Sequence, residues 1–411
     1  MFRRIIGEKY FCGLDVGSRT IKASLMEARE SRQLAVVGIF ETRTAGFNGS
    51  SVTDLGDFAR SVNDAVSGLS KKSRVKISQV YLGIGGELVQ RRIGKAVIPL
   101  LDRGSKVIAR RDAERIRKQA RLLGVKVEEV VIQDFPQVYR VDDVNIAQNP
   151  VGLYGRKLEV ETFLLTVNNT VLKNMTKAVN RAGYDVADVF STAFSTAGMA
   201  CGEYDQRQGC VLIDMGSAVT EVLIFKGAQL RGYEQLPFGG AHFTRVISDA
   251  LNVSLDLAEE IKEAYASLDP GAYRDNEEIL IKREDGYLPV RKSLIIESIS
   301  PLAAALCNEV RDVLHRSGLR EHLNAGVFLT GGGALMSGLA ERIEEAAGLN
   351  TRTAQPQIAV KHLPNAPKFL PALGLARTGF NHSAGVGRMK SGGSVYRRGL
   401  EKIKELYQEY F

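Results

Sequence analysis

The chain has 411 residues, a formal net charge of +8 and 44% apolar side chains. At about 150 residues per core that length suggests two or three domains, and the composition is that of a globular chain. No run of eighteen apolar residues occurs and Met1 to Gly7 lacks the apolar stretch of a signal peptide, so the expected setting is the cytoplasm, with any membrane contact peripheral.

Apolar alternation predicts strands at Tyr10 to Val16, Ile21 to Glu27 and Leu34 to Thr42, then a helix from Leu55 to Leu69 capped by Thr53 or Asp54. From Val80-Tyr81-Leu82-Gly83-Ile84-Gly85-Gly86 to Val167 the grammar changes. Strands around Ala96, at Val130 to Tyr139 and at Lys157 to Val167, with one helix between, read as an inserted α+β subdomain, and Asn145 to Gly155 reads as a loop. The inserted helix is basic: between Asp102 and Lys126 nine Lys or Arg stand against three acids, with Ala109, Ala113, Ile116, Ala120 and Leu123 at helical spacing. This predicts a surface helix with a basic outer face, either simply solvated or a docking surface for an acidic partner or anionic lipid. No aromatic side chains are interleaved with the bases, so nucleic acid is not an expected partner.

A helix near Thr170 to Ala182, a short strand at Ala187 to Val189 and a helix at Ser191 to Cys201 follow. From Cys210 the first pattern returns as strand, acidic turn, strand, strand, then a helix from Ala241. Such a duplication implies two α/β halves, with both acidic turns facing a common cleft. Cys12, Cys201, Cys210 and Cys307 form no C-x-x-C pair and read as reduced core residues; no histidine has metal-ligand spacing to a cysteine or another histidine.

The chemistry lies in three glycine-containing segments. Gly13-Leu14-Asp15-Val16-Gly17-Ser18-Arg19-Thr20 and Ile213-Asp214-Met215-Gly216-Ser217-Ala218-Val219-Thr220 each run from an apolar strand through Asp and Gly to hydroxyl residues and a second apolar strand. Such a turn offers N–H and O–H groups to phosphate oxygens, while its Asp holds Mg²⁺ through water. In Val327-Phe328-Leu329-Thr330-Gly331-Gly332-Gly333-Ala334 a strand enters three glycines, which let backbone approach a flat nucleoside.

This order resembles the actin, Hsp70 and hexokinase superfamily. With Val80 to Gly86 and Leu329-Thr330-Gly331-Gly332-Gly333-Ala334-Leu335-Met336-Ser337-Gly338-Leu339 it resembles FtsA, the actin-like division protein of bacteria, over residues 8 to 380. The resemblance implies a duplicated actin-like (ribonuclease H-like) two-lobed α/β ATPase fold with an inserted α+β subdomain and a C-terminal amphipathic helix. Residues 1–79 and 168–205 would form the first lobe, 80–167 the insert, 206–237 and 300–378 the second lobe's core, and 238–299 its small subdomain. ATP and Mg²⁺ are the implied cofactors. Asp15, Gly17, Ser18 and Lys22 match the first phosphate loop, Asp214, Gly216 and Thr220 the second, Glu259 and Lys262 the ribose and base contacts, and Gly331, Gly332 and Gly333 the adenosine loop; Asp15 and Asp214 face the metal. For Lys22 a plain surface lysine is the competing reading.

Ser217 and Ala218 stand where the superfamily carries further glycines, and no Gln, Glu or His in Phe190 to Cys201 could orient a water, so nucleotide binding with at most weak hydrolysis is expected. The implied partners are FtsZ, further copies of the chain in a filament, later division proteins and the cytoplasmic face of the membrane at the septum. A type IV pilus assembly ATPase and a sugar kinase are the competing readings.

Gly379 to Ser394 reads as a Gly/Ser linker and residues 395–411 as an amphipathic helix, with Tyr396, Leu400, Ile403, Tyr407, Tyr410 and Phe411 on one face and four bases against three acids. It would either lie in a membrane interface or dock on protein.

Overall fold

The first three apolar runs pair as a meander because only three residues separate the first two. β1 (Tyr10–Val16), β2 (Thr20–Ala28) and β3 (Leu34–Arg43) are antiparallel neighbours, with Asp15 opposite Lys22 and Lys22 opposite Glu41. The computed structural model describes residues 9–29, 33–100, 105–146, 148–269, 271, 277–283, 286–360 and 363–384. The chain divides into two units, residues 1–195 with 372–411, and residues 196–371.

In the first unit, α1 (Leu55–Ser73) starts where the Asp54 carboxylate accepts from the Asp57 amide at 2.7 Å, and it buries Phe58, Val62, Val66 and Leu69. β4 (Gln79–Ile84) then runs parallel to β1. The chain next builds a separate four-stranded sheet from β5 (Val89–Pro99), β7 (Glu129–Val141), β8 (Val144–Ile146) and β10 (Lys157–Asn168), in the order β5-β10-β7-β8. In a separate two-stranded sheet β6 (Lys106–Val107) pairs with β9 (Tyr154–Gly155), and α2 (Arg110–Leu123) lays Ile116 and Ala120 on Ala96, Ile98, Tyr139, Leu158 and Val160. After α3 (Asn169–Arg181), β11 (Asp185–Ser191) joins β4 in parallel, giving the order β11-β4-β1-β2-β3.

Two boundaries differ from expectation. Val80 to Ile84 belongs to β4 of the five-stranded sheet and not to the insert, because an apolar run buried on both faces is a central parallel strand. Residues 145–155 are not all loop, since β8 and β9 take up their two ends.

The basic helix also differs. Arg110 and Arg111 are exposed, but Arg117 and Arg121 turn inward to Asp134 on β7, whose carboxylate lies 2.9 Å from the Arg117 guanidinium and 3.3 Å from that of Arg121. Asp134 is only 1% exposed, and its charge draws these two arginines off the outer face. Leu123, placed on the apolar stripe by spacing, is 67% exposed, because the helix ends there.

α4 (Thr192–Ala200) and α5 (Glu203–Gln208) lead to the second unit's sheet. β12 (Cys210–Met215), β13 (Thr220–Lys226) and β14 (Gln229–Leu236) repeat the meander. α6 (Gly240–Leu251), α7 (Leu255–Tyr265), the hairpin β15 (Glu278–Arg283) and β16 (Gly286–Arg291), and α8 (Lys292–Ser317) precede β17 (Val327–Thr330), α9 (Leu339–Ala347) and β18 (Thr351–Thr353). The order β14-β13-β12-β17-β18 reproduces that of the first unit position for position. α8 runs unbroken through residue 300, with Pro301 inside it, so no element boundary separates a 238–299 segment there. Its length and composition would suffice to cross a membrane, yet Ile295, Ile299, Leu306, Val310 and Leu314 lie in this unit's core.

α10 (Ala366–Ser383) extends through Gly379 to Ser383, residues expected in a linker. It is seated closely on the first sheet. Ser24 donates to the Ala372 carbonyl at 2.8 Å, Phe380 meets Phe11 edge-on, a Cβ at Gly379 would come within 2.4 Å of the Tyr81 ring, and His382 Nδ1 lies 3.4 Å from Asp188. The proposed linker beyond Ala384 and the 395–411 helix lie outside the described residues. All four cysteines are buried and free.

Arg117→Glu places an acid beside buried Asp134 and is expected to cost about 3 kcal/mol or more, whereas Arg110→Glu with Arg111→Glu stays within about 0.5 kcal/mol of the parent. Urea unfolding of the variants checks this; equal stabilities would remove the inward role of Arg117.

Candidate functional site

The β1–β2 and β12–β13 turns close alike. Gly17 N–H donates to the Thr20 carbonyl at 3.1 Å and Gly216 N–H to the Val219 carbonyl at 3.0 Å, each two residues beyond an Asp on the penultimate strand position. The chain thus reverses directly after the acid, leaving Asp15 and Asp214 at strand ends with a small exposed fraction of 7% each.

Their surroundings differ. In the first unit Lys22 Nζ lies 3.5 Å from Asp15 and is mostly buried, so it is not a plain surface lysine. Burial pushes the Asp15 carboxyl above its usual range, Lys22 draws it back, and Glu41 adds a smaller upward push. Thr44 donates to the Gly17 carbonyl at 2.8 Å, tying the turn to the chain just beyond β3. Ser18 lies within the same turn.

In the second unit Thr220 is wholly buried and its hydroxyl donates to the Phe238 carbonyl at 2.6 Å, so that group is engaged inside the fold. The first amides of α6 dock on the turn: Gly240 N–H donates to the Gly216 carbonyl and Ala241 N–H to that of Ser217, both at 2.9 Å. From α7, Lys262 Nζ reaches Glu259 at 2.7 Å, the Thr244 hydroxyl at 2.9 Å and the Gly240 carbonyl at 3.0 Å, while Thr244 also donates to Glu259. Glu259 and Lys262 therefore brace the helix end that holds the turn. Next to the turn, Glu221 accepts from the Tyr233 hydroxyl at 2.5 Å, and Gln235 donates to that hydroxyl at 2.7 Å.

The glycine triplet reaches the same place by parallel pairing. β17 runs beside β12 with Thr330 opposite Asp214, and Gly331 N–H and the Thr330 hydroxyl both donate to the Pro367 carbonyl. Gly331 has φ +87°, and a Cβ there would fall 2.3 Å from the Met215 carbonyl and 2.6 Å from Asp214 Oδ1. One added at Gly333 would strike the Met215 thioether, whereas one at Gly332 would meet nothing within 4 Å. The triplet thus lies against Met215 and Asp214 with Gly332 on its open side. That is the shape expected of a loop receiving a flat ligand, and it fits a nucleoside beside an acid that can face a hydrated cation.

The second unit therefore brings together Asp214, Gly216, Glu259, Lys262 and Gly331 to Gly333. Asp15, Gly17, Ser18 and Lys22 cluster in the first. Sequence reasoning missed Met215, which underlies the triplet, and Thr244, which links Glu259 to Lys262. Met215 adjoins the motif's Asp and could have been found there; Thr244 has no signal short of the packing of α6 on α7. Among the described residues no group of three or more His, Cys, Asp or Glu is arranged to hold a metal unaided.

Two five-stranded sheets of one order, each with an acid–glycine turn, and a separate sheet inserted between β4 and β11 define an actin-like protein. Solved structures agree: the PilM-PilN type IV pilus biogenesis complex matches with a TM-score of 0.65 at 18% identity over 90% of this chain and 98% of that one. MreB5 of Spiroplasma citri bound to ADP matches at 0.53 and 13% identity, over 91% and 98%. The family model of cell division protein FtsA matches residues 211–374, and that of the SHS2 domain inserted in FtsA matches residues 86–166. The chain is 27% identical to cell division protein FtsA of Streptococcus pneumoniae over 90% of its own length and 80% of that protein's, and 26% identical to that of Pseudomonas aeruginosa over 98% of both. The chain belongs to the FtsA family of actin-like cell division proteins.

Gly331→Ala is expected to destabilise the fold by about 1–3 kcal/mol, since it combines positive φ with a backbone clash. Gly332→Ala should leave thermal unfolding unchanged and weaken nucleotide binding. Parent-like ATP affinity for Gly332→Ala in a calorimetric titration would remove the triplet from the binding surface.

Proposed function

We propose that the chain binds ATP with Mg²⁺, polymerises, and ties the FtsZ ring to the cytoplasmic face of the membrane at the division septum, where it recruits later division proteins. The observation that carries the nucleotide part is the repeated turn, closed by the same glycine amide beyond the same acid, with a glycine triplet over the second copy. Solved structures of MreB5 bound to ADP and to AMPPNP share the fold, which supports this reading.

Asp15 and Asp214 would face the cation, Gly17, Ser18 and Gly216 the phosphates, and Gly331 to Gly333 the nucleoside. Bound Mg²⁺ supplies charge neutralisation on the phosphate oxygens. Lys22 steadies the first acid, and Glu259 with Lys262 steady the second turn through α6. The helices and hairpin from α6 to the start of α8, at about 238–299, are the proposed FtsZ-binding region and the insert the proposed contact between neighbours. Membership of the FtsA family supports the division role, and the apolar and aromatic face of residues 395–411 supports the membrane anchor.

The similarity to PilM favours a second reading, an assembly ATPase of type IV pili. The tail separates the two.

Asp15→Ala and Asp214→Ala should each weaken Mg²⁺–ATP binding by about 2 kcal/mol, about thirtyfold; parent-like titrations for both would overturn the nucleotide assignment. Removing residues 395–411, or introducing Leu400→Glu with Ile403→Glu, should abolish co-sedimentation with vesicles containing anionic lipid while ATP binding persists. Undiminished vesicle binding by the truncated chain would move the reading toward the pilus relative.

A further inference from the structure

The duplicated turns share a ladder but not a charge. Across β1, β2 and β3 the residues directly opposite one another are Asp15, Lys22 and Glu41; across β12, β13 and β14 they are Asp214, Glu221 and Gln235. The first acid faces a lysine. The second faces another acid, on the same face of the sheet and almost as buried, at 6% exposure against 7%. Like charges directly opposite in a ladder disfavour each other, so an acid in that position needs a donor to hold its carboxylate in place.

Tyr233 supplies that hold. Its hydroxyl donates to Glu221 at 2.5 Å, and the Gln235 amide donates to the phenol oxygen at 2.7 Å, so the oxygen is fixed from behind and its proton points at the carboxylate. Burial, and then the Glu221 charge, push the phenol well above its ordinary range, so at neutral pH it keeps the proton it donates. The equivalent ladder of the first unit uses the lysine for the same task.

We infer that Tyr233, backed by Gln235, is a positioning residue that fixes Glu221 as a second carboxylate beside Asp214, so that the second turn sets the divalent-cation requirement of nucleotide binding. The inference rests on the nucleotide-binding reading and deepens it: the turns divide the ligand's charge. Where Lys22 accompanies the acid, phosphate is met by a turn whose acid is already offset. Where Glu221 accompanies it, phosphate is repelled until a cation arrives, and the cation then gains two carboxylates, directly or through water.

The test is a calorimetric titration of ATP into the full chain at stepped free Mg²⁺ and in EDTA. Tyr233→Phe loses one charge-assisted hydrogen bond and frees Glu221, which should raise the Mg²⁺ needed for half-maximal ATP binding about tenfold. Affinity in EDTA should be equal to the parent's or tighter, because negative charge near the phosphates is relaxed. Glu221→Gln should act likewise, and Tyr233→Phe combined with Glu221→Gln should be no worse than Glu221→Gln alone. If Tyr233→Phe unfolds, Gln235→Met, which keeps the phenol but removes its backing donor, should shift the Mg²⁺ midpoint in the same direction by less. An unchanged midpoint in the variants, or an equal loss with Mg²⁺ and in EDTA, overturns the role of Tyr233 while leaving nucleotide binding standing. Failure of the parent to bind ATP at any Mg²⁺ concentration overturns both.

Discussion

Much of the second unit's site depends on one hydrogen bond, that from Gly216 N–H to the Val219 carbonyl. It closes the reversal of β12 just beyond Asp214, so the carboxylate stands at the end of the sheet's central strand. The reversal also turns the Gly216 and Ser217 carbonyls outward, where the first amides of α6 take them. Those amides would otherwise be orphaned at a helix start. α6 in turn is fixed by Lys262 and Glu259 of α7, so the turn, two helices and the glycine triplet form one mechanically continuous set.

The first unit solves the same problem with different means. Its turn is closed by the same bond, but α10 and the charged ladder Asp15–Lys22–Glu41 do the bracing. Conserving the backbone device while exchanging its supports is what a duplicated fold permits, because the ladder register fixes which positions meet and leaves the side chains there free to differ. Asp15 then has a cation as its built-in neighbour and Asp214 a carboxylate.

Strand alternation and the turn motifs made the duplicated meanders legible in the sequence, and β1 to β3 fall within two residues of expectation. Such signals are local: a two-residue period and a Gly after an Asp require no knowledge of the rest of the chain. What was not legible depends on distant partners. Arg117 and Arg121 look like solvated helix residues until Asp134, over a dozen positions later, lies beneath them. Resemblance matches Lys262 to the ribose and base contacts, and only the approach of α6 shows it engaged with Thr244 and the Gly240 carbonyl. The glycines at 379 and beyond suggested a linker by composition, whereas Gly379 is a helical residue whose missing side chain admits the Tyr81 ring.

That seating of α10 sets a radius. Phe380 on Phe11 and His382 beside Asp188 fix the helix end on the first unit's sheet. Chain geometry alone fixes it: eleven residue steps from Ala384 to Val395 span at most about 40 Å, so whatever conformation the intervening residues take, Val395 stays within that distance of the helix end.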